Sequence, residues 1–589
     1  MSELPVYTIG LNLYHCATAC LIKDGEVIGC VSEERFSRKK NQWGIPSQSI
    51  QYLLNQFDIT PDHIRLVGIG GTWPTGLVVE SELDSENPIS SMIIKVLGKI
   101  LYHARFLLPL YEWSHYNIYQ RLFFPSFREK LNSVLKQKTR CSTIQPFDHH
   151  DCHMAATLFG FIPDNTNDKC LIMTLDGAGD GSCSSVNLFE NDHWRPVGKR
   201  TLNGLSPALM YASITEYLGM KKMEHEYKVM GLAPYADRYG VEKVYSKLKS
   251  IFKVENDLSF GARYHSHSYD EWARKNLEKC RFDWIAGAAQ KAFEDLMLTW
   301  VGKAVAATGV KKIAAGGGAF MNVKASMLVS EMDEIEQFTV CPSSGDESCA
   351  IGAAYLAYRS ICRNENKPFL PRRITNLYLG PEYTDDMIYN AFEVYDFSQQ
   401  ILIKKCKDID QEVANLLSDG AIVARFSNRS EWGARALGNR SILANPSDLG
   451  VVRILNEQIK NRDFWMPFAA SILKERETDY IINPKGLDAQ FMIMAFRTTQ
   501  LAQNDLKASL HPYDQTIRPQ IVEKMVNPSY HRLISLFMEK TKIGGVLNTS
   551  FNIHGDPIVN SPYDAFYTLD NSGLRHLAIG SYLLTKRKI

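Results

Sequence analysis

Twice in this chain an apolar, strand-forming run ends on glycines: residues 170–175 precede Asp176-Gly177-Ala178-Gly179-Asp180-Gly181, and residues 312–315 precede Gly316-Gly317-Gly318. Glycine lets backbone N–H groups approach phosphate oxygens that a Cβ would hold off. A single glycine turn after a strand is more often plain connectivity than a cradle. Their recurrence in one region points to an α/β fold that gathers ligands where its strands end.

The rest of the chain supports that class. Residues 6–12, 18–23 and 27–32 read as strands, with Asp24-Gly25-Glu26 as a hairpin signal. Ile50, Leu53, Leu54 and Phe57 follow Pro46 at helical spacing, and 66–70 returns to a strand. Residues 89–138 look like a mostly helical insertion. Around 363–383 charged residues and Pro368, Pro371 and Pro381 mark a connection. We expect a first domain over 1–365, a linker over 366–380 and a second α/β domain over 381–589, where 412–417 is helical and 421–426 a strand. A chain of 589 residues is longer than one core usually serves.

Charge excludes some partners. Lys+Arg 66 against Asp+Glu 65 leaves a net +1, with no basic field for nucleic acid and no acidic tail. Residues 92–110 are interrupted by Lys95, Lys99, His103 and Arg105, so they read as an amphipathic helix and not a membrane span. Twelve cysteines without a CxxC pair fit reduced thiols, and no signal sequence is visible; the expected location is the cytoplasm.

The densest ligand cluster is His149-His150-Asp151-Cys152-His153. Residues four apart share a helix face, so His149 and His153 can offer two imidazoles to one metal while His150 points elsewhere. Asp346, between a strand over 337–341 and a small-residue helix, is the expected third ligand; Asp176 is either a fourth or a group that holds the geometry of a metal-bound phosphate. Such a mixed set suits iron(II), zinc or manganese. In the second domain Arg435 and Arg440 flank Gly438, and Lys460, Arg462, Arg518 and Arg532 follow. Guanidinium forks match phosphate oxygens, although most such residues are solvated surface charges. Asn548-Thr549-Ser550-Phe551-Asn552 adds polar groups where a strand gives way to a loop.

These motifs occur in an order that resembles the NodU/CmcH-type O-carbamoyltransferases of antibiotics, alkaloid toxins and nodulation factors. The resemblance runs through His15, the 33–40 run, His149-His150-x-x-His153, 228–233, Gly316-Gly317-Gly318 with Asn322, and Asp346. It continues through 433–441, 467–469, 518–520, 527–528, 547–552 and 555–559. It implies a duplicated actin-like, sugar-kinase-type domain followed by a YrdC-like domain. The latter would turn carbamoyl phosphate and ATP, with Mg(II), into carbamoyl adenylate. The former would pass the carbamoyl group to a hydroxyl of a small molecule.

By the same resemblance Arg435, Lys460, Arg518 and Ser550, with Asn548 beside them, match carbamoyl phosphate and ATP positions. Gly317, Gly318 and Asn322 would lie against nucleotide, Lys39 is counted with those contacts, and His149, His153, Asp176 and Asp346 match a metal site, iron(II) by preference. His15 matches a general base; its ordinary pKa of about 6.5 lies near working pH. Two departures stand out. The usual His-Asp is His15-Cys16, and the usual Arg-Pro-Phe-Ala-Pro is Met466-Pro467-Phe468-Ala469-Ala470, where methionine offers no donor and Arg462 or Lys460 is the candidate substitute. Alternatives are transfer to nitrogen or sulfur, or a nucleotide-binding regulator without turnover. The partners expected are the hydroxyl acceptor and carbamoyl phosphate, with no nucleic acid, no membrane and room for a homodimer.

Overall fold

The computed structural model describes residues 5–72, 131–139, 141, 143–162, 169–460 and 462–587. Most of the 89–138 insertion, and all of 92–110, lies outside the described residues; 131–139 are helical. Two compact units emerge, Met1–Ile28 with Gln42–Ile374, and Gly29–Asn41 with Thr375–Ile589. The break at Ile374 lies within the 366–380 stretch, while Gly29–Asn41 groups with the second unit although the sequence reading kept it in the first.

The first unit uses one plan twice. β1 (Tyr7–Asn12), β2 (Thr18–Lys23), β3 (Glu26–Ser32), β4 (Ile64–Gly70) and β5 (Ile144–Phe147) form a sheet of order β3-β2-β1-β4-β5. β2 runs antiparallel to β1, whereas β4 and β5 are parallel to it. The hairpin turns at Asp24 and Gly25, both at positive φ, as the Asp-Gly pair anticipates. β6 (Cys170–Gly179), β7 (Ser182–Glu190), β8 (His193–Pro196), β9 (Thr201–Leu202), β10 (Lys312–Gly316) and β11 (Gln337–Val340) form the second sheet. Its order is β8-β7-β6-β10-β11, with β9 on β7. β7 is again antiparallel and β10 and β11 parallel to the central strand. Two copies of this three-strand meander plus two parallel strands are the duplicated actin-like arrangement.

One glycine reading needs correction. Residues 176–179 are not a turn after the strand: β6 continues through Gly179, which pairs with Ser182 after a register shift from Leu175, and the reversal is made by Asp180 and Gly181. Gly179 is needed for a different reason, since a Cβ there would lie 2.1 Å from His149 Cδ2.

α1 (His149–Phe161) follows β5, α2 (Phe282–Thr308) supports the second sheet region, and α3 (Ser348–Asn364) follows β11. Small residues 349–354 let α3 approach α1 and β1 closely: a Cβ on Gly352 would sit 1.9 Å from the Cys152 carbonyl oxygen. That neighbour is backbone and has nowhere to retreat. Gly352→Ala is therefore expected to cost about 1–3 kcal/mol by overpacking, more than the ~1 kcal/mol alanine gains in helix propensity. Urea unfolding followed by circular dichroism checks the loss.

The second unit holds an eight-stranded mixed sheet of β12 (Ile401–Lys405), β13 (Val423–Phe426), β14 (Arg440–Ala444), β15 (Ala469–Leu473), β16 (Pro519–Val522), β17 (Gly545–Ser550), β18 (His576–Ile579) and β19 (Tyr582–Lys586). Their order is β12-β19-β18-β13-β14-β17-β15-β16. Ile442, Leu547, Phe551 and Phe566 belong to its core. This is the α/β class expected for a YrdC-like part. Gly29–Asn41 is stapled to it by side chains: Arg35 donates to the Gly433 carbonyl at 2.7 Å, and Arg38 donates to those of Pro557 and Ile558 at 2.8 Å each. All twelve cysteines are free thiols, and among the described residues no helix is long and apolar enough to cross a membrane.

Candidate functional site

In the first unit, α1 begins at a side-chain cap, Asp148 accepting from the Asp151 N–H, and this sets the rotation of the helix. His149 and His153 then share one face and meet Asp176 from β6 and Asp346 from the loop after β11. His153 Nε2 lies 3.1 Å from His149 Nε2 and 3.0 Å from Asp176 Oδ2. His149 Nε2 is 3.5 Å from Asp176 Oδ2 and 3.8 Å from Asp346 Oδ1. Ligand bonds of about 2.0–2.2 Å to one ion put neighbouring donors roughly 3–3.5 Å apart, and all four donor atoms here lie within 4.8 Å of one another. Two imidazoles and two carboxylates, almost wholly removed from water, fit one divalent cation.

The supporting groups strengthen the fit. His153 Nδ1 and the Ser348 hydroxyl are 2.9 Å apart, so a proton donated from Nδ1 leaves Nε2 as a lone-pair nitrogen facing the cluster. The His149 N–H donates to Asp180 at 2.7 Å, which also takes the Thr72 N–H. Burial opposes charge on His149, but the Asp176 hydrogen bond and the Asp346, Asp176 and Asp180 carboxylates outweigh it and raise its pKa to about 9. Burial and then the Asp176 charge push the Asp346 carboxyl well up, whereas for Asp176 the penalty of burial is overcome by hydrogen bonds from His149 and His153, and its carboxyl is held well down. Burial, followed by His149, lowers His150 to about 3. His150 is structural: Nε2 faces the Ser182 carbonyl at 2.9 Å and Nδ1 the Thr174 hydroxyl at 2.8 Å.

His15 stands in the loop after β1, with Nδ1 3.4 Å from Cys16 Sγ and its ring edge-on to Trp43. Its neighbour Tyr14 meets the His149 ring edge-on at 6.3 Å. Gly317 takes φ 96° with no room for a Cβ against the Leu175 carbonyl, and Gly318 adjoins Asp176. Asn322 is occupied inside the protein: Oδ1 caps a helix at the Ala325 N–H and its amide exchanges two hydrogen bonds with Gln290 of α2, at 3.0 and 2.9 Å.

In the second unit Lys460 ends a π-helical turn, Leu455–Lys460, and is 3% exposed. Its Nζ donates to the Ser550 carbonyl, to Ser550 Oγ at 3.1 Å, and to Asn552 O and Oδ1 at 3.1 and 2.6 Å. Burial, then Arg462 and Lys40, push this ammonium well below the usual lysine range; burial, then Arg435 and Arg462, do the same to Arg518. Arg518 has no hydrogen-bond or ion-pair partner among the described residues. Arg435 and Arg462 act on Arg518 as like charges, and Arg462 and Lys40 act so on Lys460. A buried guanidinium without a protein partner, held in a nest of like charges, is a candidate anion site.

Arg462 lies over the Phe468 ring at 4.0 Å and donates to the Met466 carbonyl at 3.2 Å, which brings a guanidinium to the position where methionine replaces arginine. Arg532 is elsewhere, paired with Asp408 at 2.5 Å, and Lys39 is exposed with its backbone N–H on Ser37. Neither joins the cation nest. Asn552, Ser348, Asp180 and Tyr14 were not singled out from sequence. Asn552 and Asp180 sit inside runs that were quoted, and Ser348 is two residues past Asp346, so proximity to a motif was their only signal.

A duplicated actin-like unit with a cluster that could hold a cation thus shares the chain with a mixed α/β unit that buries several cations. The chain belongs to the carbamoyltransferase family: residues 7–355 match the profile described as carbamoyltransferase N-terminus and residues 414–586 the one described as carbamoyltransferase C-terminus. It is similar to MJ1051 of Methanocaldococcus jannaschii, 28% identical over 98% of this chain and 100% of that protein. It is likewise similar to nodulation protein NolNO of Sinorhizobium fredii, 28% identical over 97% of this chain and 79% of the relative. The 3'-hydroxymethylcephem-O-carbamoyltransferase of Amycolatopsis lactamdurans is 26% identical over 45% of this chain and 47% of its own length.

Proposed function

We propose that this carbamoyltransferase uses ATP to move the carbamoyl group of carbamoyl phosphate to a hydroxyl of a small-molecule secondary metabolite, in the cytoplasm and without nucleic acid. The observation that carries the reading is Arg518 in the second unit, a buried guanidinium with no hydrogen-bond or ion-pair partner among the described residues, held among the like charges of Arg435 and Arg462. Carbamoyl phosphate is hydrolysed there to carbamate and phosphate; a carbamate oxygen then attacks the α-phosphorus of ATP, the α–β bond breaks, and pyrophosphate leaves. The cations offset charge on the phosphoryl groups as it redistributes.

Carbamate alone is a poor electrophile, and the adenylate gives it AMP as a leaving group. In the first unit the acceptor oxygen attacks the carbamoyl carbon, the bond to AMP breaks, and the hydroxyl proton goes to His15. His149, His153, Asp176 and Asp346 would hold a divalent ion, iron(II) first among iron, zinc and manganese, whose chemistry when bound is to polarise the adenylate phosphate. Ser348 orients the His153 imidazole, and Asp180 holds the His149 backbone N–H. Cys16, which stands where the related pattern has aspartate, touches His15 through sulfur and offers it a weaker partner than a carboxylate.

The test uses the full chain with ATP and Mg(II). Pyrophosphate release that depends on carbamoyl phosphate is expected, followed by a mass gain of one carbamoyl on an accepted hydroxylated metabolite. No pyrophosphate from the purified wild-type protein would favour a binding-only regulator.

A further inference from the structure

Cys349, the second residue of α3, is wholly buried, and its sulfur faces a ring that the cation cluster also uses. The thiol lies 3.8 Å from His149 Nδ1 and donates to the His149 carbonyl at 3.8 Å. The other ring nitrogen, Nε2, is the one turned toward His153, Asp176 and Asp346. His149 thus has a metal-ligand type beside each of its nitrogens. One nitrogen from each of His149 and His153 and the Cys349 sulfur lie within 4.8 Å of one another, a second set of donors that shares both imidazoles with the first and puts sulfur in place of two carboxylates.

Backbone packing holds the sulfur there. The Cys349 N–H donates to the Asp346 carbonyl at 2.9 Å, which ties it to the loop that carries a donor of the first set. β4 ends on Gly70, where a Cβ would come 2.8 Å from Cys349 Cβ, and Gly179 lies against the His149 ring. Such close packing leaves the helix and the ring little room to draw apart. Most buried thiols of this chain pack as small apolar groups. Among the described residues Cys349 is the cysteine that completes a cluster of metal-ligand atoms.

Carboxylate oxygens suit manganese, whereas a thiolate draws softer ions. We infer that Cys349, His149 and His153 form a thiophilic site overlapping the first, which takes cadmium, and zinc ahead of manganese, and excludes the ion held by the carboxylate set. The inference rests on the reading of His149, His153, Asp176 and Asp346 as a cation site. On binding, the sulfur–hydrogen bond gives way to a sulfur–metal bond and the thiol proton leaves to solvent. Two dications sharing the same imidazoles would repel strongly in a buried site, so one set is filled at a time.

Titrating the metal-stripped full chain with manganese and then with one equivalent of cadmium tests it. Wild type is expected to bind manganese, seen as loss of the free-ion paramagnetic resonance signal, and to release it as cadmium enters with the ultraviolet absorption of a cadmium–thiolate bond. In Cys349→Ser that absorption should vanish and cadmium affinity fall by at least about tenfold, while manganese binds as before. Survival of the absorption in a folded Cys349→Ser overturns the inference. So does an equal loss of both ions in that variant, which would make Cys349 a packing residue only. Should the serine variant not fold, Asp346→Asn serves: it is expected to lose manganese and keep the cadmium–thiolate absorption, and loss of the absorption there overturns the idea. A wild type that binds manganese without any thiolate absorption sinks this inference alone, whereas one that binds neither ion sinks the cation-site reading with it.

Discussion

Replacing Lys460 with alanine is expected to stop carbamoyl phosphate-dependent pyrophosphate release, a loss of about a thousandfold or more. The ammonium is buried, aimed by four contacts to Ser550 and Asn552, and surrounded by like charge from Arg462 and Lys40. Its protein partners are neutral acceptors and no carboxylate is among them, so an anionic ligand would add the counter-charge. The sign of the stability effect follows. Its folded pKa lies below the unfolded one, so at neutral pH the charged form is held against its preference and the native state is weakened. That penalty is full below the folded pKa, shrinks as pH rises from there, and is gone above the unfolded pKa of about 10.4. Lys460→Met should therefore be as inactive as the alanine variant yet melt no lower than wild type without ligand. Added phosphate should raise the melting temperature of wild type much more than that of either variant. A strong fall in melting temperature for both variants would mean that Lys460 is a structural tie between Ser550 and Asn552.

His153→Ala is expected to separate the two halves of the reaction. His153 lies within 3.1 Å of both His149 and Asp176, so its loss removes one donor and the partner that Ser348 orients. Metal affinity should drop by more than about 100-fold, the upper range seen even for groups one step removed from a metal. Carbamoylation of an acceptor should fall by at least about the same factor, while pyrophosphate release from ATP and carbamoyl phosphate stays near wild type. Elemental analysis of the purified variant, with pyrophosphate and product measured in parallel, reads all three. Equal loss of both half-reactions would overturn the assignment of one chemistry to each unit. His150 is the natural comparison: both its ring nitrogens are engaged by Thr174 and Ser182, so its replacement should lower stability and leave no specific deficit in metal binding.

Much of the candidate site was legible because helical spacing is a local property. The i, i+4 pair His149 and His153 chose itself against His150, and the structure turns the two rings inward and the third toward β6 and β7. Asp346 and Asp176 were legible as carboxylates at strand ends. The glycine run at 176–181 misled, because a strand that continues into a tight hairpin and a strand that stops at a phosphate cradle use the same residues. What distinguishes them is the pairing of Gly179 with Ser182, a tertiary fact. Asn322, expected against nucleotide, exchanges its amide with Gln290, thirty-two residues earlier in the chain, a partner no local window shows.

The cation nest shows the same limit in the second unit. Arg435, Lys460, Arg462, Arg518 and Arg532 look alike as sequence, and only the fold sends Arg532 to Asp408 and buries Arg518 without a partner among the described residues. Side-chain partners from distant segments decide whether an arginine is a surface charge or part of a binding site, and no window of sequence contains them.

The amino-acid order alone therefore determined the elements, the α/β class, the pair of imidazoles and the supply of guanidiniums, since periodicity, turn chemistry and residue type act over a few positions. The tertiary structure decided which of those groups converge, that Gly29–Asn41 serves the second unit, and that Arg518 is buried among like charges. Convergence depends on strand order and on the close packing of α1 against α3, which local propensities leave open.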